Sequence, residues 1–419
     1  MATALFADAL YDPGTEQTTR EVCVLIDEGR IAAAGPRDQV RVPADADRVD
    51  ATGLTLLPGL IDLHVHLCSR GQGMDMGEML ATSPTETILY AVGACRRTLE
   101  AGFTTVRDAG GTPHGVRMAV EQGYFPGPRM LLAVQVLSQT GGHADSHFPC
   151  GVSLQLVPVS ELPSSIVDGE EVMQQRVREL IRNKADWIKL CTSGGVLSPG
   201  DAPHHATFTL GEIRAGVRAA ATQGRRVMAH AQAAAGVKNA LRGGVTTIEH
   251  GIWLDDEALE LFGGDRILVP TLVAPKWVIR HSEEGRMPEW AAAKARAVVA
   301  DHTESFRRAV DAGVRIAYGT DTGVGPHGSN GEELLLMRDA GMPPADCIRA
   351  ATVDAASVLQ WEGKVGTLAP GAYGDVIGVP GDPVSNLELL ARPENVQLVV
   401  KGGSVVRARE RARQEPAHV

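Results

Sequence analysis

Along the first 57 residues, apolar bursts such as Val22-Cys23-Val24-Leu25-Ile26 and Arg30-Ile31-Ala32-Ala33-Ala34 are separated by Asp27-Glu28-Gly29 and Gly35-Pro36. Short β-rich runs divided by turn residues predict the hairpins of a small sheet. From Pro58 the pattern changes to short apolar runs alternating with stretches of helical period: Ile61–His66, 84–101, Phe103–Arg107, 112–122. Such alternation predicts a parallel sheet. Further strand candidates are Met130–Val136, Trp187–Cys191, Val227–His230, Thr246–His250, Ile267–Leu272 and Arg315–Gly319. Together they make eight, the number that closes a (β/α)8 barrel.

After residue 362 the hairpin texture returns in Gly366-Thr367-Leu368, Asp375–Val379 and Val396–Val400. The expected architecture is α/β: a TIM barrel over 58–362 and a small β-sandwich domain built from both chain ends, 1–57 and 363–408. The charged residues 409–419 are expected to form a frayed tail.

Composition removes several classes of function. Hydrophobic residues make up 44% and charged residues 22% of the 419 positions, so the chain can bury a large core and is not of disordered type. The net charge of -11, from 51 acidic against 40 basic residues, offers no basic surface for nucleic acid or anionic membrane. No apolar run of about 18 residues and no basic leader are seen, and the six cysteines form no CxxC pair. A cytoplasmic protein with reduced thiols is expected.

The candidate chemistry lies at the strand ends. In Pro58-Gly59-Leu60-Ile61-Asp62-Leu63-His64-Val65-His66 an apolar run ends in two histidines spaced i, i+2. On a strand this spacing puts both imidazoles on one face, where they can reach one metal ion. Four other strand candidates end in Lys189, His230, His250 and Asp321. A closed barrel brings such ends to one mouth. Taken singly, His230 and His250 also read as hydrogen-bonded core histidines, and Asp321 as a helix cap.

Lys189 follows Trp187 and Ile188 on a strand, where an ammonium ion meets a severe desolvation cost. Reaction of the amine with carbon dioxide gives an anionic carbamate that can bridge two metals. A pairing with a carboxylate such as Asp321 is the simpler reading.

In their order, Pro58–His66, Lys189, His230, Glu249-His250-Gly251 and Gly319-Thr320-Asp321 resemble the amidohydrolase superfamily over about residues 5–405. Asp186-Trp187-Ile188-Lys189 with Ser193-Gly194-Gly195-Val196, and Thr140-Gly141-Gly142-His143, resemble its imidazolonepropionase-related branch. That branch holds prolidase-like dipeptidases, carboxypeptidase-like enzymes and ochratoxinase-like amidases.

The resemblance implies a hydrolase of amide bonds in dipeptides, Xaa-Pro compounds or N-acyl amino acids, with two divalent cations. His64, His66 and Asp321 would hold the first ion, His230 and His250 the second, and carboxylated Lys189 both, with a hydroxide between them attacking a metal-polarised carbonyl. Asp321 would then carry a proton to the leaving amine, and His143 would contact the scissile carbonyl. The donor set suits zinc foremost, and manganese, iron or cobalt also. Relatives commonly form homo-oligomers.

Where the family often has an aromatic residue or histidine two places beyond the fifth-strand histidine, this chain has Gln232. That departure keeps a cyclic amide, carbamate or xenobiotic aryl amide open as substrate. Gln232, Arg107, His147 and His205 are the candidates for substrate contact, with His204 and His327 behind them. Two other readings are a one-metal imidazolonepropionase and a structural relative without activity; the presence of all six ligand positions argues against the latter.

Overall fold

The structure, a computed structural model, describes residues 2–147, 150–153 and 161–408. Four strands open the chain: β1 (Thr3–Asp12), β2 (Gln17–Asp27), β3 (Arg30–Pro36) and β4 (Asp47–Pro58). Eight short strands follow, interleaved with helices: β5 (Leu60–Val65), β6 (Phe103–Asp108), β7 (Arg129–Leu132), β8 (Val136–Leu137), β9 (Trp187–Cys191), β10 (Arg226–Ala231), β11 (Thr247–His250) and β12 (Ile267–Val269). The chain closes with β13 (Val376–Pro380), β14 (Leu398–Lys401) and β15 (Ser404–Ala408).

Both chain ends do share a sheet, in the order β15-β14-β13-β4-β1-β2-β3. The two halves meet where β4 pairs with β13, Leu57 opposite Ile377. Alternation along β1 and β2 sends Leu5, Ala7, Val22 and Val24 into one apolar cluster with Val376, Leu398 and Val400. Hydrogen bonding unites these strands in one seven-stranded sheet, not two separate ones.

The middle of the chain forms parallel sheets β5-β6-β7 and β12-β11-β10-β9-β8. Backbone bonds bridge them. Asp186 N donates to Leu132 O at 2.7 Å, beside the β9 start, and β8 pairs with β9. On the other side, Leu268 N donates to Arg315 O, Ala317 N to Leu268 O, and Leu63 N to Tyr318 O, at 2.9–3.0 Å. The expected eighth strand, 315–319, is thus present as a hydrogen-bonded segment without a full ladder.

Two expected strands are shorter than their apolar runs, for a backbone reason. Met130–Val136 is interrupted at Val134, whose φ is +68°, and Ile267–Leu272 stops at Val269 because Pro270 has no N–H and Thr271 turns to φ +56°. The largest apolar cluster lies between the parallel strands and their covering helices, with Val106, Leu132, Ile188, Val227 and Ile248 fully or almost fully buried. No helix among the described residues is long and apolar enough to cross a membrane. The expected tail 409–419 lies outside the described residues.

Candidate metal centre

The six ligand candidates line one cavity of about 200 Å³. His64 is on β5 and His66 just beyond it, Lys189 is on β9, His230 on β10, His250 ends β11, and Asp321 follows the 315–319 segment. His250 and Asp321 both have positive φ, +74° and +62°. Histidine and aspartate tolerate this left-handed turn better than most residues, and it bends the chain away where each strand ends.

His64 Nε2 lies 3.2 Å from Lys189 Nζ and 3.5 Å from Asp321 Oδ1, and His66 Nε2 lies 3.3 Å from the same oxygen. The His64 and His250 rings are 5.1 Å apart, and the His230 and His250 rings 4.6 Å. One ligand atom each from His64, His250 and Asp321 falls within 4.8 Å of the others. That tightest trio cuts across the division into two ion sites that the family resemblance implies.

Every one of the four histidines has one ring nitrogen occupied by an outer partner. Nδ1 of His64 meets Glu249 Oε2 at 2.8 Å, Nδ1 of His66 meets Gly110 O at 2.8 Å, Nδ1 of His250 meets Thr271 Oγ1 at 2.7 Å, and Nε2 of His230 meets Gly194 O at 2.9 Å. The carboxylate and carbonyl partners of His64 and His230 take the ring N–H and leave the opposite nitrogen as a lone pair toward the cavity, and the remaining nitrogens of His66 and His250 face the same space. This is the arrangement in which imidazole binds a cation, so the residues fit a metal centre.

The electrostatics agree. Burial lowers the pKa of His64 to about 4 and takes His230 and His250 well below the ordinary value, which keeps them neutral and able to ligate. His66 is the exception: burial lowers it, but its bond to Asp321 and that charge outweigh burial. Burial raises the Asp321 pKa, yet His64, His66 and Lys189 overcome it and hold the group below the usual carboxylate range. Lys189 is lowered, chiefly by burial, toward the neutral amine that reacts with carbon dioxide.

Three expected substrate contacts lie outside the cavity wall. Arg107 is 0% exposed and spends its donors on Leu63 O, Thr247 Oγ1 and Glu249 Oε1, so it braces the strands and does not line the cavity. His147 and His205 are exposed and also stand outside the cavity wall, His205 packing edge-on against His204 at 4.4 Å. His327 is buried and bonded to Ser69 O.

Gln232 and His143 do line the cavity. Gln232 Oε1 is buried without a partner, and the His143 ring stacks on His230 at 4.1 Å. Much of the remaining wall is apolar, including Val136, Val196, Leu197, Ile252, Val278 and Val324.

Glu249, in the Glu249-His250-Gly251 motif, is a support of the site that the motif alone does not announce. It is fully buried between His64 and Arg107. The signal was available: a lone acid on β11 and a lone base on β6, each inside an otherwise uncharged or buried strand, have to find opposite charge.

Residues 55–406 match the model of the amidohydrolase family. The chain is 33% identical to ochratoxinase of Aspergillus niger over 422 aligned positions, covering 96% of this chain and 86% of that one. Among solved structures it is similar to a Xaa-Pro dipeptidase with methionine in its active site, at TM-score 0.88 and 32% identity, covering 97% of this chain and 99% of that one. A prolidase complexed with N-methylphosphonate-L-proline gives TM-score 0.89 and 31% identity, with 98% and 100% covered. The chain belongs to the amidohydrolase family. It is a hydrolase acting on amide bonds.

Proposed function

We propose that the protein is a binuclear metal-dependent hydrolase of amide bonds in small molecules, of the dipeptide, Xaa-Pro or N-acyl amino acid type. The observation that carries this reading is the convergence of His64, His66, Lys189, His230, His250 and Asp321 on one cavity, each histidine with an outer partner on its far nitrogen. We read the two bridged parallel sheets as one closed (β/α)8 barrel over 58–362, and the seven-stranded sheet as folded over into a β-sandwich. The apolar cluster that joins β1 and β2 to β13 and β14 supports the second point.

These six side chains would hold two divalent ions, with Lys189 as a carbamate between them. Such ions polarise a carbonyl oxygen and make water a nucleophile near neutral pH. Asp321, held as a carboxylate by its bond to His66, accepts the proton that water loses and returns it to the departing amine. The apolar wall holds a nonpolar acyl or side-chain group, and Gln232 Oε1 accepts a hydrogen bond from a substrate donor. A reducing, cytoplasmic setting and a homo-oligomeric form complete the proposal, the first in keeping with six free cysteines.

A second reading, a cyclic or aryl amide or a carbamate, is favoured by the same apolar wall and by the identity to the Aspergillus enzyme. The test is hydrolysis of a library of dipeptides, N-acyl amino acids, and aryl and cyclic amides and carbamates, read as new amine groups, by protein reconstituted with zinc or manganese. Turnover within the first two groups supports the leading reading, turnover confined to aryl or cyclic amides the second. Failure of every member at full metal occupancy refutes both.

A further inference from the structure

A polar chain leads away from His143 into the wall behind it. His143 Nδ1 lies 2.9 Å from Ser198 Oγ, and that hydroxyl is in short contact with Asp201 Oδ1. Asp201 Oδ2 accepts from Gly195 N at 3.1 Å. Lys294, on the helix Glu289–Asp311, ties the turn down: its Nζ donates to Gly195 O, Ser198 O and Asp201 O at 3.2, 2.7 and 2.5 Å and stands 3.5 Å from Asp201 Oδ1. Ser198 is 4% exposed.

The fit around the ring is close. His143 stacks on His230 with the planes 17° apart, and a Cβ added to Gly195 would fall 2.1 Å from His143 Nδ1. Only glycine lets the ring sit where Ser198 can reach it.

Proton counting assigns the tautomer. Ser198 Oγ is in far closer contact with Asp201 Oδ1 than with its other acceptor, Gly195 O at 3.4 Å, so its single proton goes to the carboxylate and Oγ accepts from His143 Nδ1–H. A neutral imidazole carries one N–H, and Ser198 holds it on Nδ1. Its Nε2 is then a lone pair.

We infer that Ser198 and Asp201 are positioning residues that hold His143 as its Nδ1–H tautomer, with Nε2 a hydrogen-bond acceptor for the substrate. This rests on the proposed hydrolysis at the same cavity and sharpens it. A ring in this state meets an N–H or O–H of the substrate, whereas the family resemblance implies contact with the carbonyl oxygen.

The experiment is NMR on zinc-loaded protein carrying 13C,15N-labelled histidine, with the His143 resonances identified by their loss in His143→Gln. The ring 15N and 13Cδ2 shifts report which nitrogen is protonated. The expected result is Nδ1–H in the wild type and loss of that preference in Ser198→Ala. In parallel, Ser198→Ala and Asp201→Asn should lower kcat roughly tenfold or more, with KM changed by less than about threefold and zinc content unchanged, and Ser198→Thr should recover most of the rate. An Nε2–H ring in the wild type, or an unchanged kcat in Ser198→Ala, overturns the inference. If the wild type hydrolyses no amide, the functional reading fails, while the NMR shifts still decide the positioning.

Discussion

Glu249 Oε2 accepts from His64 Nδ1 at 2.8 Å, and both side chains are closed to solvent, at 0% and 1% exposure. The other carboxylate oxygen accepts from Arg107 Nη2 at 2.9 Å. Burial pushes the Glu249 pKa up, but Arg107 and His64 outweigh it and bring the group down to about 2. The carboxylate therefore stays charged, fixes the proton of His64 on Nδ1 and leaves Nε2 facing Lys189 and Asp321.

Glu249→Gln should separate these roles. It leaves the Arg107 cation buried without its counter-charge and weakens the hold on His64. We expect a loss of stability of about 3–5 kcal/mol by urea unfolding and a 10–100-fold loss of metal affinity by competition with a chelator. Wild-type affinity in this variant would remove Glu249 from the support of the centre.

Asp321→Asn keeps the side-chain volume and removes the proposed proton acceptor. Steady-state assays on the best library substrate should show kcat reduced about a hundredfold or more, with the circular dichroism spectrum retained. A rate within a fewfold of wild type would exclude Asp321 from proton transfer.

Acid should destabilise the metal-free protein through its buried neutral histidines. His302 donates from Nε2 toward His250 O and Pro270 O, and His327 from Nε2 to Ser69 O; burial takes each to about 4 from an ordinary 6.5. Between those two values the unfolded chain binds more protons than the folded one, so stability falls as pH drops from about 6.5 to about 4. Urea midpoints measured across this range should decline, and less steeply in His302→Gln, whose amide nitrogen can reach the same carbonyls. A midpoint independent of pH would contradict the assignment.

Gly195→Ala should displace the His143 ring without touching a ligand candidate, since the new Cβ has no room beside Nδ1. The expected outcome is lower turnover with the metal content kept, read by assay and elemental analysis of the same sample. Loss of metal instead would mean that the turn at 195 supports the centre and not His143.

The candidate ligand positions were legible because strand periodicity and chain order are local properties: an i, i+2 histidine pair running off β5, Lys189 within β9, His230 near the end of β10 and His250 closing β11. The outer partners were not, because Glu249 meets Arg107 across 142 positions and His143 meets Ser198 across 55, and no periodicity encodes such distances. Arg107 illustrates the limit. At the end of a strand it had the chemistry of a carboxylate clamp, and only its complete burial among Leu63, Thr247 and Glu249 shows that its donors are spent. Hairpin texture at both chain ends pointed to a β-sandwich, and the structure joins those ends in one seven-stranded sheet, whereas the breaks at Val134 and Thr271 come from backbone turns that apolar runs conceal.

The most direct test of the centre is metal content per chain in the wild type and in Lys189→Ala, measured by elemental analysis after reconstitution with zinc and removal of excess ion. The account predicts about two ions in the wild type, a clear loss in the variant, and partial recovery when short carboxylic acids replace the carbamate. Equal metal content in the two proteins would contradict it.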